Sequence, residues 1–213
     1  MTASSANTTV LLTGFGPFPG TRENVSGPFV HKLAREIENC FSDTTVLEQI
    51  LPTEWEAGPQ ILNTIMQRHL PDVCLHFGVS DRAEGFVIES QAYNVCENSE
   101  DANGRLPVDN CISQTGPEKQ NATFPSDRIV ARLKRHHFPV ELSTDPGRYL
   151  CNTVLYHSLA FDAAGKPSAC SGFVHLPTTF SPADNKNGFT FERAIAGGVE
   201  IVLECLETKP GQR

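Results

Sequence analysis

The chain has 213 residues, 39% of them hydrophobic, and a formal net charge of −8. That length and apolar content are enough for one domain, spanning 1–213, to build its own core without disulfides or a structural metal. Its acidity, with no run of like charges, argues against nucleic acid and against an anionic membrane surface as partners.

Residues 1–8 are small and polar, carry no signal-peptide pattern and are expected to be disordered. Val10-Leu11-Leu12 reads as a buried strand running into a Gly/Pro-rich loop over 14–20, followed by a helix over 25–41 and a strand over 46–51. Pro52-Thr53-Glu54 opens a second helix carrying Trp55, Ile61, Ile65 and Leu70, and Val73-Cys74-Leu75-His76-Phe77 is a buried strand ending at Gly78. A strand over 86–93 precedes a long polar stretch, 97–127, of the kind that is usually functional or mobile. A helix over 129–137, a strand over 140–142, a helix from about Leu150, a strand over 172–176 and a helix over 190–207 complete the chain. There is no repeat, no linker and no stretch long enough to span a membrane. Strands alternating with helices define an α/β class: a three-layer α/β/α sandwich around a single largely parallel, mixed and twisted sheet, with sites at the carboxyl ends of strands.

The chemistry gathers at such ends. Asp145, Pro146 and Gly147 form a turn that gives way to helical spacing at Leu150, Val154, Leu155 and Leu159, so Cys151 lies in the first helical turn. Unpaired amide groups and the helix dipole favour a negative sulfur there. His175, at the end of Gly172-Phe173-Val174-His175-Leu176-Pro177, can act as a base toward that thiol, and Glu89, a carboxylate within the apolar run Phe86-Val87-Ile88-Glu89, can orient the imidazole. Each residue also has a plain reading. Most of the seven scattered cysteines are small buried hydrophobes in a reducing, cytoplasmic setting, His175 alone reads as a satisfied core histidine, and Glu89 as an edge residue or a partner for an arginine. In the cytoplasm the Asn-x-Ser/Thr matches at Asn7, Asn24 and Asn121 are chance.

Taken together, Gly14-Phe15-Gly16-Pro17-Phe18 with Asn24, Ile88-Glu89 with Asn94, Gly147-Arg148-Tyr149-Leu150-Cys151-Asn152 and the His175 strand resemble the pyroglutamyl peptidase I family of cysteine peptidases, in the family's order and over about 10–206. The resemblance implies removal of an N-terminal pyroglutamyl residue through a thioester, with Cys151 as nucleophile, His175 as general base and then acid, and Glu89 orienting His175. It implies Phe15 and Phe18 as the wall that binds the lactam ring and Asn24 as the residue holding their loop; for a single Phe, packing under a turn is the plain alternative. No metal or organic cofactor is implied. The partners are N-terminally pyroglutamylated peptides and, since members often form dimers or tetramers, a second copy of the chain. The chain departs from many bacterial members at Ser90, where they carry Arg, at 79–83, where they carry Gln-Ala-Gly-Gly-Arg, and at Pro146, where a small Ala is usual. These changes leave the three catalytic positions intact and bear on loop support and on the lactam pocket. Two further readings stay open: a non-catalytic lactam- or peptide-binding protein on the same scaffold, and an amidase acting on a different N-terminal cap.

Overall fold

A computed structural model describes residues 7–18, 20–21, 23–165, 170–180 and 188–208. Six strands form one sheet: β1 (Thr8–Phe15), β2 (Thr44–Leu51), β3 (Val73–Ser80), β4 (Phe86–Glu89), β7 (Val140–Ser143) and β8 (Cys170–Pro177), in the order β2-β1-β3-β8-β4-β7. β5 (Gln91–Tyr93) and β6 (Lys119–Asn121) form a separate antiparallel ribbon. β1, β2, β3 and β8 run parallel, whereas β4 is antiparallel to β8 and carries β7 parallel to itself. Among the described residues the helices are α1 (Ser26–Cys40), α2 (Ala57–His69), α3 (Ser126–Arg135), α4 (Leu150–Gly165) and α5 (Phe191–Glu207).

Strand alternation decides what lies on each side of the sheet. Val10, Leu12, Val73, Leu75, Phe77, Phe86, Ile88, Val174 and Leu176 pack against α1, α3 and α5, where Phe29, Leu33 and Ile37 repeat at helical spacing. The intervening residues Leu11, Phe15, Cys74 and Phe173 pack against α2 and α4, through Leu62, Met66, Val154, Leu155 and Leu159. The chain winds from β1 to β2 through α1 on the first face, then crosses back through α2 on the second to lay β3 on the other side of β1. That reversal opens a crevice at the carboxyl end of β1.

The elements differ from their expected forms in four places. Thr8 is already the first residue of β1, paired with Thr44, while residues 1–6, the rest of the stretch expected to be disordered, lie outside the described residues. α2 starts at Ala57 rather than near Pro52 because the preceding turn is tied elsewhere: Trp55 N–H donates to Asp101 Oδ2 at 3.1 Å and Thr53 Oγ1 to the Gly16 carbonyl at 3.0 Å. The strand expected over 86–93 breaks at Ser90, whose N–H and Oγ both donate to the Ser143 carbonyl at 2.8 Å, so β5 leaves the main sheet. The long polar stretch is pinned rather than loose. Asp101, buried, accepts from the amides of Trp55, Asn103 and Arg105; Asn94 exchanges bonds with Ser113 at 2.7 and 2.8 Å; and Tyr156 donates to the Pro117 carbonyl at 2.8 Å.

Candidate active site

Two rows of residues cross the sheet on the face that carries α2 and α4. The strand registers set Gly78, His175, Val87 and Glu141 side by side across β3, β8, β4 and β7, and below them His76, Phe173, Glu89 and Ser143. Glu89 is thus one step diagonal from His175, within reach on the same face. Its Oε1 lies 2.9 Å from His175 Nδ1, and both side chains are buried. The other carboxylate oxygen, Oε2, is buried without a hydrogen-bond partner among the described residues, so His175 is the one group to which this carboxylate is committed.

The other ring face of the site is supplied by the start of α4. Asp145 shapes the turn by accepting from Gly147 N at 3.3 Å and pairing with Arg148, and Gly147, at φ +78, takes the left-handed conformation that a side chain disfavours. The Arg148 guanidinium then stacks 4.1 Å above the Tyr93 ring. Asn152, fully buried, accepts from Tyr93 N at 2.8 Å and donates to the carbonyls of Tyr93 and Val95 at 2.7 and 3.1 Å. The helix start is therefore clamped to β5. The first bond into α4 from outside it runs from Thr153 N to Tyr149 O at 3.2 Å, and Tyr149, Leu150 and Cys151 at this helix start line the cavity.

Cys151, half-buried, hangs from this first turn and hydrogen-bonds His175. Burial acts to lower the His175 pKa. It is outweighed by the negative charge of the Cys151 sulfur and the bond to it, then by the bond to Glu89 and its charge, and the imidazole is pushed up to about 10. A thiol, an imidazole and a carboxylate thus stand in one line, and the charged imidazolium persists through neutral pH. His76 makes an instructive contrast. It too sits in a buried strand, with Nδ1 2.8 Å from Thr13 Oγ1, but among the described residues no carboxylate bonds to it, and burial lowers it to about 3. Only one of the two sheet histidines is equipped to carry a proton.

Gly78, which the sequence marked only as a strand end, makes room for the Cys151 sulfur. A Cβ there would lie 2.7 Å from Phe173 Cζ and 3.0 Å from Cys151 Sγ. Gly78→Ala is expected to push the sulfur off its line with His175 and to lower kcat/KM by about tenfold to a hundredfold, read from initial rates, with the fold retained by circular dichroism. Rates within twofold of the native protein would show that the contact yields freely.

The line opens into a cavity of about 670 Å³. Phe15, Phe18 and Asn24 lie on its β1 side, and Val79, Ser80, Asp81 and Arg82, in the segment that departs from bacterial members, line it as well. Phe15 is nearly buried and tilts against Phe173 at 6.3 Å, so it serves the core and the cavity wall at once, whereas Phe18 is half-buried. Phe18 and Thr21 pair across a turn in which Gly20 has φ +83. Asn24 holds this loop from behind, donating to the Gly16 carbonyl at 3.1 Å and accepting from Ser26 N and Oγ at 3.1 and 2.8 Å. Thr53, which the sequence marked only as a helix start, donates to the same carbonyl and also lines the cavity. None of residues 97–127 does.

A three-layer α/β/α sandwich with a cysteine, a histidine and a carboxylate in line at one wall of a cavity defines a cysteine hydrolase. Residues 8–205 match the pyroglutamyl peptidase family, and the chain belongs to it. Among its relatives, the pyrrolidone-carboxylate peptidase of Gloeobacter violaceus is 33% identical over 94% of this chain and 97% of that one. Pyroglutamyl-peptidase 1 of Homo sapiens is 29% identical over 95% and 93%. Pyroglutamyl peptidase I of Bacillus amyloliquefaciens superposes with a TM-score of 0.83 at 25% identity, covering 94% of this chain and 97% of that structure.

Proposed function

We propose that the chain removes an N-terminal pyroglutamyl residue from peptides, with Cys151 as nucleophile, His175 as general base and acid, and Glu89 as the residue that orients His175. The observation that carries this reading is the hydrogen-bonded line of these three side chains at the cavity wall. The Cys151 sulfur attacks the carbonyl carbon of the scissile amide, forming a C–S bond. His175 passes its proton to the amine as the C–N bond breaks, and then takes a proton from the water that attacks the thioester, releasing pyroglutamate and restoring the sulfur. The oxyanion formed in both steps is met by the amides at the start of α4.

Recognition of the cap follows from its shape. A flat, uncharged lactam ring fits between Phe15 and Phe18, in a loop braced by Asn24 and Thr53, and its N–H and C=O find their partners in backbone groups. The binding-protein and amidase alternatives are not favoured, because the family and its named relatives are pyroglutamyl peptidases. Among the described residues no helix is long and apolar enough to cross a membrane. A cytoplasmic location completes the reading, supported by seven cysteines that are all free thiols. A dimer or tetramer is added on the strength of the family resemblance.

The test is release of fluorophore from a pyroglutamyl amide by reduced protein, alongside the same fluorophore capped by acetyl-glutamine or proline. Turnover confined to the pyroglutamyl amide is expected. Absence of turnover, or equal turnover of the other caps, would remove the assignment.

A further inference from the structure

Resting on the reading above, we propose that Glu141 selects the residue that follows the pyroglutamyl cap, favouring substrates with Lys or Arg at that position over those with Asp or Glu. The argument starts from the order of strands. The aromatic wall of Phe15 and Phe18 stands on the β1 side of Cys151, so a cap bound there extends its scissile bond toward His175, and the departing amine must leave on the far side, over β4 and β7. The sheet register fixes what it meets. Next to His175 in the same row comes Val87, and next to Val87 comes Glu141, all on one face of the sheet and the last two lining the cavity. At a strand spacing of about 4.8 Å, the Glu141 backbone lies roughly 10 Å from that of His175, the span of one extended long side chain attached to the leaving amine.

The chemistry of this row is that of an aliphatic stem ending in a cation. Val87 offers an apolar surface for methylene groups, and Glu141, exposed on edge strand β7, offers a carboxylate beyond it. The other charged groups of the wall offset one another. Asp145 is paired with Arg148, and Asp81 and Arg82 are neighbours of opposite sign. Glu89 is committed to His175. Among the described residues no cation is paired with Glu141, so its charge is free for the substrate. The preference is a modest one, because the carboxylate is in contact with water.

Three probes decide it: pyroglutamyl-lysine amide, pyroglutamyl-glutamate amide and pyroglutamyl-alanine amide, followed by release of free pyroglutamate. The native protein is expected to show kcat/KM for the Lys probe about five- to tenfold above that for the Glu probe in low salt, shrinking as salt is added. Glu141→Gln should bring the ratio near unity and Glu141→Lys should invert it, while Glu38→Gln, on an exposed position of α1, keeps the native ratio. A native ratio near unity, or a ratio that survives Glu141→Gln, overturns the proposal while turnover of the alanine probe leaves the peptidase assignment standing. No turnover of any probe overturns both.

Discussion

Replacement of Cys151 by alanine is expected to lower kcat for a pyroglutamyl amide by a factor on the order of 10⁵, equivalent to about 7 kcal/mol of lost transition-state stabilisation. The size of the loss follows from the chemistry assigned to the sulfur, since every later step acts on a thioester that cannot form without it. Alanine is the informative change because it leaves the first turn of α4 and its clamp through Asn152 in place. Cys151 is half-buried and among the described residues its sulfur bonds the His175 side chain and no backbone group, so the variant should unfold within about 1 kcal/mol of the native protein. The loss must therefore appear in rate and not in folded fraction. Residual binding is part of the same expectation: pyroglutamate should still occupy the wall of Phe15 and Phe18, and calorimetry on the variant should detect it. Turnover by the alanine variant within a hundredfold of the native rate would mean that the reaction runs through another group.

How far the chain disclosed this site depends on whether the interaction is local. The placement of Cys151 at a helix start was legible because a turn, an Asp and a Gly precede a helical apolar repeat within one short segment. The faces of the strands were legible for the same reason: alternation assigns Val174 and Leu176 to one side and Phe173 and His175 to the other. Glu89 stands out as the partner of His175 by its odd place in an apolar strand and by the family resemblance, but the geometry that joins them was not legible. Glu89 meets His175 only because β4 runs antiparallel to β8 in a particular register, and nothing within either segment encodes the direction of its neighbour. The same holds for His76 and His175, two histidines in apolar strands whose proton chemistry differs by what the adjacent strand brings. Gly78 and Thr53 read only as a strand end and a helix start, because their site roles lie in a space left open and in a carbonyl held 37 residues away. The Ser90 departure has a physical consequence too. Its N–H and hydroxyl lock the end of β4 to β7, which keeps Glu89 at its level in the sheet.

That lock makes Glu89→Gln the sharpest probe of the line. The amide has nearly the volume of the carboxylate and can still meet His175 Nδ1, so packing is retained while the charge is removed. Glu89 acts on His175 in two ways, through a hydrogen bond and through its negative charge, and both raise the imidazole pKa against the burial that lowers it. Without the charge the folded-state pKa must fall below about 10, and the imidazolium is then lost at lower pH. The sign is fixed by which form is active. In the proposed reaction the protonated imidazole is the proton donor to the leaving amine, so activity should hold below the folded pKa and fail above it. The native kcat/KM profile should therefore have an alkaline limb near 10, and that of Glu89→Gln a limb displaced toward neutrality. The amide can also present its NH₂ to Nδ1, which favours the tautomer in which Nε2 is the protonated nitrogen and cannot accept from the thiol. At the pH optimum the expected loss in kcat is about 10³- to 10⁴-fold, with KM changed far less, as for other imidazoles deprived of an orienting carboxylate. Glu89→Asp, which keeps the charge but shortens the reach, should recover part of the rate and restore the limb. A Gln variant with native rate and an unmoved limb would reduce Glu89 to a packing residue, and the line to a pair.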